Sequence, residues 1–200
     1  LEGTNWASQP NSLSYARNNC GGCGTQTAAL VYGGDEPADS DRTELYNGTS
    51  WTNGGALSTA RSHVMGGVGI STAAICVGGK TPGSSYVTTT EEYGGSSWTS
   101  GGSLITGTEN GAGAGTATDA IVFGGNIGPG VPNYTANTQG YDGTAFSTRP
   151  SMSTARVYVS GTGTSTAGVA FGGNANPYTT ATEEFTGETT AANVETFSTS

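Results

Sequence analysis

The chain is 200 residues long, with 35 Gly, 10% charged residues and 15 acidic against 6 basic side chains, a formal charge of −9. That balance provides no basic stripe for nucleic-acid phosphate or an anionic membrane, and no apolar run reaches the roughly 18 residues that cross a bilayer as a helix. Ala, Leu, Glu and Lys at helical spacing are missing too, so the class expected is all-β, and ordered because the apolar residues recur in phase.

In chain order, residues 1–6 read as the end of a repeat, and the absence of an opening Met points to a processed product or a segment of something longer. Leu13 and Ala16-Arg17 follow, then a small-residue strand ending at Gly24, a turn holding Thr27, and an apolar strand over 28–32 that runs into Gly33-Gly34. A loop over 35–42 leads to a strand with Glu44 and Tyr46, and Trp51 opens a closing strand. The same parts return as Leu57, Ala60-Arg61, a strand over 63–69, Thr72, the apolar strand 73–77, Gly78-Gly79, loop 80–87, Glu91, Tyr93 and Trp98. The third pass is Leu104, Gly107-Thr108, Gly115, Thr118, strand 120–123, Gly124-Gly125, loop 126–135, Gln139, Tyr141 and Phe146. The fourth is Met152, Ala155-Arg156, strand 157–163, Thr166, strand 167–171, Gly172-Gly173, loop 174–180, Glu183 and Phe185, with no second aromatic behind it. The doublets lie 45, 46 and 48 residues apart, a period that signals stacked or radial β repeats. Each unit supplies four short strands, one small twisted antiparallel sheet. Such a sheet buries both faces only by packing face to face with its neighbours around an axis.

This order of an apolar run, Gly-Gly, spaced Tyr and Trp, then an apolar residue and Ala-Arg resembles the kelch repeat of β-propellers. The resemblance covers essentially the whole chain and is carried best by Trp51-Thr52-Asn53 with Leu57-Ser58-Thr59-Ala60-Arg61, and by Phe146 with Met152-Ser153-Thr154-Ala155-Arg156. It implies a kelch-like propeller of four four-stranded blades of 45–48 residues, closed as a ring by this chain or forming part of a longer array. The single domain, 1–200, divides into repeats at 1–44, 45–92, 93–140 and 141–184 with a partial one at 185–200. Phrases such as Gly24-Thr25-Gln26-Thr27-Ala28-Ala29 and Ala181-Thr182-Glu183-Glu184-Phe185 are similar to the kelch-like arrays of marine tailed-phage (cyanophage-type) virion proteins. Trp6, Trp51, Trp98 and Phe146 are expected between neighbouring sheets, with Tyr46, Tyr93, Tyr141 and Phe185 at equivalent positions one strand away. The four-blade ring is the arrangement expected.

Arginine and glutamate co-vary between the repeats. Arg17, Arg61 and Arg156 share one slot and Glu44, Glu91 and Glu183 another, while the third unit has Thr108 and Gln139. The unit that lacks the cation lacks the anion, so each pair is read as a bidentate, partly buried ion pair inside one blade: Arg17 with Glu44, Arg61 with Glu91, Arg156 with Glu183. The rival reading has three arginines converging on an acidic ligand. Cys20 and Cys23 have C-x-x-C spacing, which allows a local disulfide or, with Cys76 and His63, a zinc site of three cysteines and one histidine. A strong zinc signal needs two close pairs, and Cys76 falls in a core slot, so no metal is assigned. Asp35, Glu36, Asp39 and Asp41 crowd one loop without the ligand alternation of calcium loops. Asn47-Gly48-Thr49 and Asn133-Tyr134-Thr135 match the glycosylation acceptor pattern.

For catalysis the ingredients are thin. One His63 is too few for the multi-histidine copper site of galactose-oxidase-type kelch enzymes, no Gly-x-Ser-x-Gly elbow exists, and the carboxylates of Glu91-Glu92 and Glu183-Glu184 alternate across a strand. The expected function is therefore non-enzymatic and free of cofactors: a structural and adhesion module on a virion or extracellular appendage. It would pack against copies or other components of an assembly and meet a host-surface glycan or protein through the loops after the doublets, with no nucleic acid and no membrane insertion. The alternative is a secreted carbohydrate-active propeller enzyme.

Overall fold

A computed structural model describes residues 6–83, 86–129 and 133–187. Among them there are fifteen β-strands and no helix. Blade 1 holds β1 (Gly21–Thr25), β2 (Ala28–Tyr32), β3 (Thr43–Tyr46) and β4 (Trp51–Asn53). Blade 2 holds β5 (Val68–Ile70), β6 (Ala73–Val77), β7 (Thr90–Tyr93) and β8 (Trp98–Ser100), and blade 3 holds β9 (Ala112–Thr116), β10 (Asp119–Phe123), β11 (Thr138–Tyr141) and β12 (Phe146–Arg149). Blade 4 shows β13 (Ser160–Gly163), β14 (Ala167–Phe171) and β15 (Thr182–Thr186). Every blade is an antiparallel meander in chain order, and the four are arranged as a four-bladed propeller, with β1 packed on β5, β5 on β9, and β9 on β13 and β14.

The sequence of the second strand explains this stacking. In β6 the small residues Ala74 and Cys76 face blade 1 and the larger Ile75 and Val77 face blade 3, because side chains alternate along a strand. Leu30 and Tyr32 of β2 meet Ala74, Cys76, Tyr93 and Trp98; Ala120 and Val122 meet Ile75 and Val77; Ile121 and Phe123 meet Ala112, Val159 and Ala170. A large face therefore meets a smaller one at each of three seams. Ile75 has no accessible surface, and its truncation to Ala would cost about 2–5 kcal/mol.

Backbone bonds repeat at the same seams. Gly34, Gly79 and Gly125 donate to the carbonyls of Arg61, Thr108 and Arg156 at 2.9, 2.8 and 2.8 Å. Leu57, Leu104 and Met152 donate to Asp41, Thr88 and Ala136. Along the hub, His63 donates to Asn19, Asn110 to His63 and Tyr158 to Asn110, each at 2.9 Å. The doublet is glycine for a steric reason as well as a conformational one. Gly33 and Gly34 have φ of 64° and 99°, and a Cβ on Gly33 would stand 2.6 Å from the Arg61 carbonyl of the next unit.

Three expectations need correction. Trp6 is fully exposed and Trp51 half-buried, whereas Trp98 and Phe146 are buried. The ring that opens a blade's outer strand packs on the preceding blade, as Trp98 does on Tyr32 at 4.9 Å, and blade 1 meets no earlier one among the described residues. The strands read over 63–69 and 157–163 are shorter, observed as Val68–Ile70 and Ser160–Gly163, and His63 and Tyr158, with φ of 54° and 55°, stand outside them. The expected four-bladed propeller stands, and among the described residues its ladder bonds recur at three seams and not between blades 4 and 1. The repeat bounds at 44, 92, 140 and 184 fall inside β3, β7, β11 and β15, so a sheet starts later than the repeat phase taken from the sequence.

Candidate functional site

The charged residues that recur in the repeat come together as three clips. Arg17 reaches Glu44 at 2.7 Å, Arg61 reaches Glu91 at 2.8 Å, and Arg156 contacts Glu183. The geometry is not the bidentate fork expected from sequence. One terminal nitrogen meets a single carboxylate oxygen, while the other donates to two carbonyls, Gly78 and Thr89 in the case of Arg61. The second carboxylate oxygen is already engaged: Ser14, Ser58 and Ser153 donate their backbone N–H to Glu44, Glu91 and Glu183. Meanwhile the Arg61 carbonyl holds Gly34 of blade 1 and its N–H donates to Ser40. Arg61 and Arg156 thus each join two blades, backbone to one and side chain to the next, while the bonds of Arg17 are those of its side chain within blade 1. With Arg61 about 1% exposed, none of this faces a ligand, and the arginines do not converge.

Blade 3 shows what remains without charge. Gln139 Oε1 accepts from the Ile105 N–H at 2.7 Å, as the glutamates accept from serine, and its amide donates to the Thr106 carbonyl. Glu36, which the repeat pattern did not single out, joins the first clip 3.1 Å from Arg17. It stands in a variable loop, outside the repeating slots, and only loop packing brings it there.

The loops after the doublets are tied at their roots. Asp35 bridges to Asn18, Lys80 to Ser62, Asn126 to Glu109 and Asn174 to Val157. Beyond those anchors they differ in length and sequence; residues 84–85 and 130–132 lie outside the described residues. On the first loop, Asn19 donates to Asp35 at 2.9 Å, and Ser62 Oγ lies 2.5 Å from Asp39 and 2.9 Å from His63 Nδ1. Burial opposes the charge on Asp35, but hydrogen bonding in the cluster, with Asn19 and Ser62 as donors, and the nearby His63 outweigh it and hold its carboxyl below the usual range. Ser, His and Asp do not form a relay here. Ser62 and Asp35 approach the same ring nitrogen, at 2.9 and 3.9 Å, whereas a triad uses both nitrogens, and Ser62 has no exposed surface.

Cys20, Cys23 and Cys76 are free thiols. Burial pushes Cys23 up to about 11 and Cys76 up to about 12, which suppresses the thiolate that metal binding or nucleophilic attack requires. Among the described residues no cluster of His, Cys, Asp and Glu could hold a metal ion.

Two hollows mark the last seam. A cleft of about 460 Å³ between blades 3 and 4 is lined by Asp119, Tyr141, Thr148, Arg149, Ser165 and Phe185 among others. Beside it, a hollow of about 70 Å³ against Phe123, Thr138 and Phe185 is the counterpart of the slot where Trp98 sits on Tyr32, Thr43 and Tyr93. The repeat has Thr190 in the aromatic's place, outside the described residues. No protein-family model matches the sequence, and no curated protein matches it.

Proposed function

We propose that the chain is a non-enzymatic structural and adhesion module of a virion or other extracellular appendage, built from kelch-like repeats similar to those of tailed-phage virion proteins. The carrying observation is the division of labour between frame and loops. The repeat-locked charges are consumed inside the blades, while four loops of unequal length are fixed at equivalent roots, an arrangement suited to recognition on a rigid scaffold. A host-surface glycan or protein is the ligand class this reading assigns to those loops. Exchanging the loop tips 37–38 and 175–178 for glycine-serine segments, with the roots and Glu36 kept, should abolish adhesion to the host surface and leave the unfolding transition in place. Unchanged adhesion would reduce the chain to a spacer. The alternative, a carbohydrate-active enzyme, would draw on the cleft between blades 3 and 4. Its described lining supplies one carboxylate, Asp119, where glycoside hydrolysis ordinarily uses two. Turnover of any glycan by the purified chain would favour that alternative.

A further inference from the structure

The two ends of the blade series are complementary, group for group. At each packed seam the earlier blade offers the N–H of the second doublet glycine, loop carbonyls, a hub carbonyl and the large residue before the doublet. The later blade offers the carbonyl at the arginine slot, an apolar residue's N–H and side chain, and a hub N–H. Blade 4 presents the first set with no such bond among the described residues: Gly173 N–H, the carbonyls of Thr179 and Thr180, and the Tyr158 carbonyl. The N-terminal side of blade 1 presents the second set in the same condition: the Arg17 carbonyl, Leu13 N–H and Asn19 N–H.

Exposure follows the same division. Tyr32, Val77 and Phe123, each just before a doublet, are 0, 1 and 3% exposed, and Phe171 in that slot is 41% exposed. A Cβ on Gly33, Gly78 or Gly124 would strike the next unit's carbonyl, whereas one on Gly172 meets nothing within 4 Å. On blade 1, Cys20 is exposed where Val64 and Val159 are buried. Trp51 is half-buried where Trp98 is buried and donates to Thr43 at 2.9 Å; Thr182, paired with Phe171 as Thr43 is with Tyr32, would be its acceptor.

We infer that blade 4 of one copy seats on blade 1 of a second copy, so that the chain associates head to tail through a fourth seam like the three inside it. Such a contact is heterologous, and it yields a closed ring of copies or a filament according to the rotation at the joint. The inference extends the structural-module reading. It needs no ligand, so association can fail while adhesion succeeds, and the reverse.

The test is sedimentation of the full chain across concentrations. The mass should rise in steps of 19.9 kDa, and Phe171→Lys should return it to one chain with its unfolding midpoint retained. A variant keeping Trp51 as its one tryptophan (Trp6→Phe, Trp98→Phe) should show a blue-shifted emission on association, since Trp51 enters the seam. A wild-type chain that stays monomeric at all concentrations would overturn the proposal, and so would assembly that Phe171→Lys leaves intact. A monomer in which Phe171 and Cys20 are both shielded from solvent would show that the chain seals its own ring, which also overturns it.

Discussion

Blades 2 and 3 have the same meander, packed on both sides, yet blade 2 carries a buried Arg61–Glu91 clip and blade 3 carries Thr108 and Gln139 instead. What both keep is the side-chain oxygen that caps the linker amide, Ser58 to Glu91 and Ile105 to Gln139, each at 2.7 Å. The difference teaches that the cap, and not the charge, is the structural minimum. Arginine is an addition that, once present, must have its anion, because a buried charge without a partner is far more costly than a neutral pair.

The largest effect should therefore come from breaking one clip. Arg61→Met leaves Glu91 nearly buried, with the Ser58 amide but no cation, and is expected to cost about 3–5 kcal/mol. The double change Arg61→Thr with Glu91→Gln rebuilds the blade 3 arrangement and should recover most of that loss in urea denaturation. Equal midpoints for the single and double variants would show that the charge is not what the blade feels.

The converse experiment installs a clip. Thr108 is 2% exposed, so Thr108→Arg alone places a guanidinium beside an amide and should destabilise. Adding Gln139→Glu should then stabilise, with a coupling of about 1–3 kcal/mol in the double-mutant cycle. Additive effects would mean that the Thr108 side chain cannot reach the slot.

A third difference lies in the ring on the preceding blade. Trp98 donates to Thr43, but Phe146 has no N–H, and Thr90 Oγ1 is buried with no hydrogen-bond partner. Trp98→Phe should cost about 1–3 kcal/mol, and less in a Thr43→Val background, where no acceptor is stranded. Thermal unfolding of the four variants measures this.

Much of this was legible in the sequence because the repeat supplied four readings of each slot. The apolar strands over 28–32, 73–77 and 167–171 coincide with the observed ones, and co-variation of Arg with Glu located the clips. Geometry within a slot was not legible. The split of each arginine between a carboxylate and two carbonyls depends on backbone groups that carry no residue identity. Nor could the repeat show which tryptophan is buried: Trp6, Trp51 and Trp98 have similar local sequence, and burial is decided by whether a preceding blade stands opposite. The left-handed hub at Asn19, His63, Asn110 and Tyr158 was hidden by four positions with three residue types.

Blade 4 also differs in how its clip meets solvent. The Glu183 side chain is 21% exposed against 0% for Glu44 and 3% for Glu91. Burial works against its charge, but the Ser153 amide and hydroxyl and Arg156 prevail and lower its pKa. A depressed carboxyl stabilises above its unfolded value and loses that contribution as pH falls through the folded one. Stability should thus decline from roughly pH 4.5 downward, and Glu183→Gln should flatten that part of the profile. An unchanged slope would remove Glu183 from the account.

The smallest effect separates hub positions that share one backbone conformation. Asn19, Asn110 and Tyr158 all sit near φ of 51–55°, where asparagine is tolerated and a bulky aromatic is strained by its Cβ. The Tyr158 side chain is 60% exposed, so little packing offsets that strain, while its N–H donates to Asn110 whatever the side chain. Tyr158→Asn should therefore stabilise by about 1 kcal/mol, a rise of roughly 2–4 °C in Tm for a chain of this size. His63→Asn, in the same conformation, should gain less, because His63 Nδ1 lies against Ser62 and Asp35. If Tyr158→Asn lowers Tm instead, the ring contributes more to blade 4 than its exposure indicates, and the hub would owe its shape to side chains as well as to the backbone ladder.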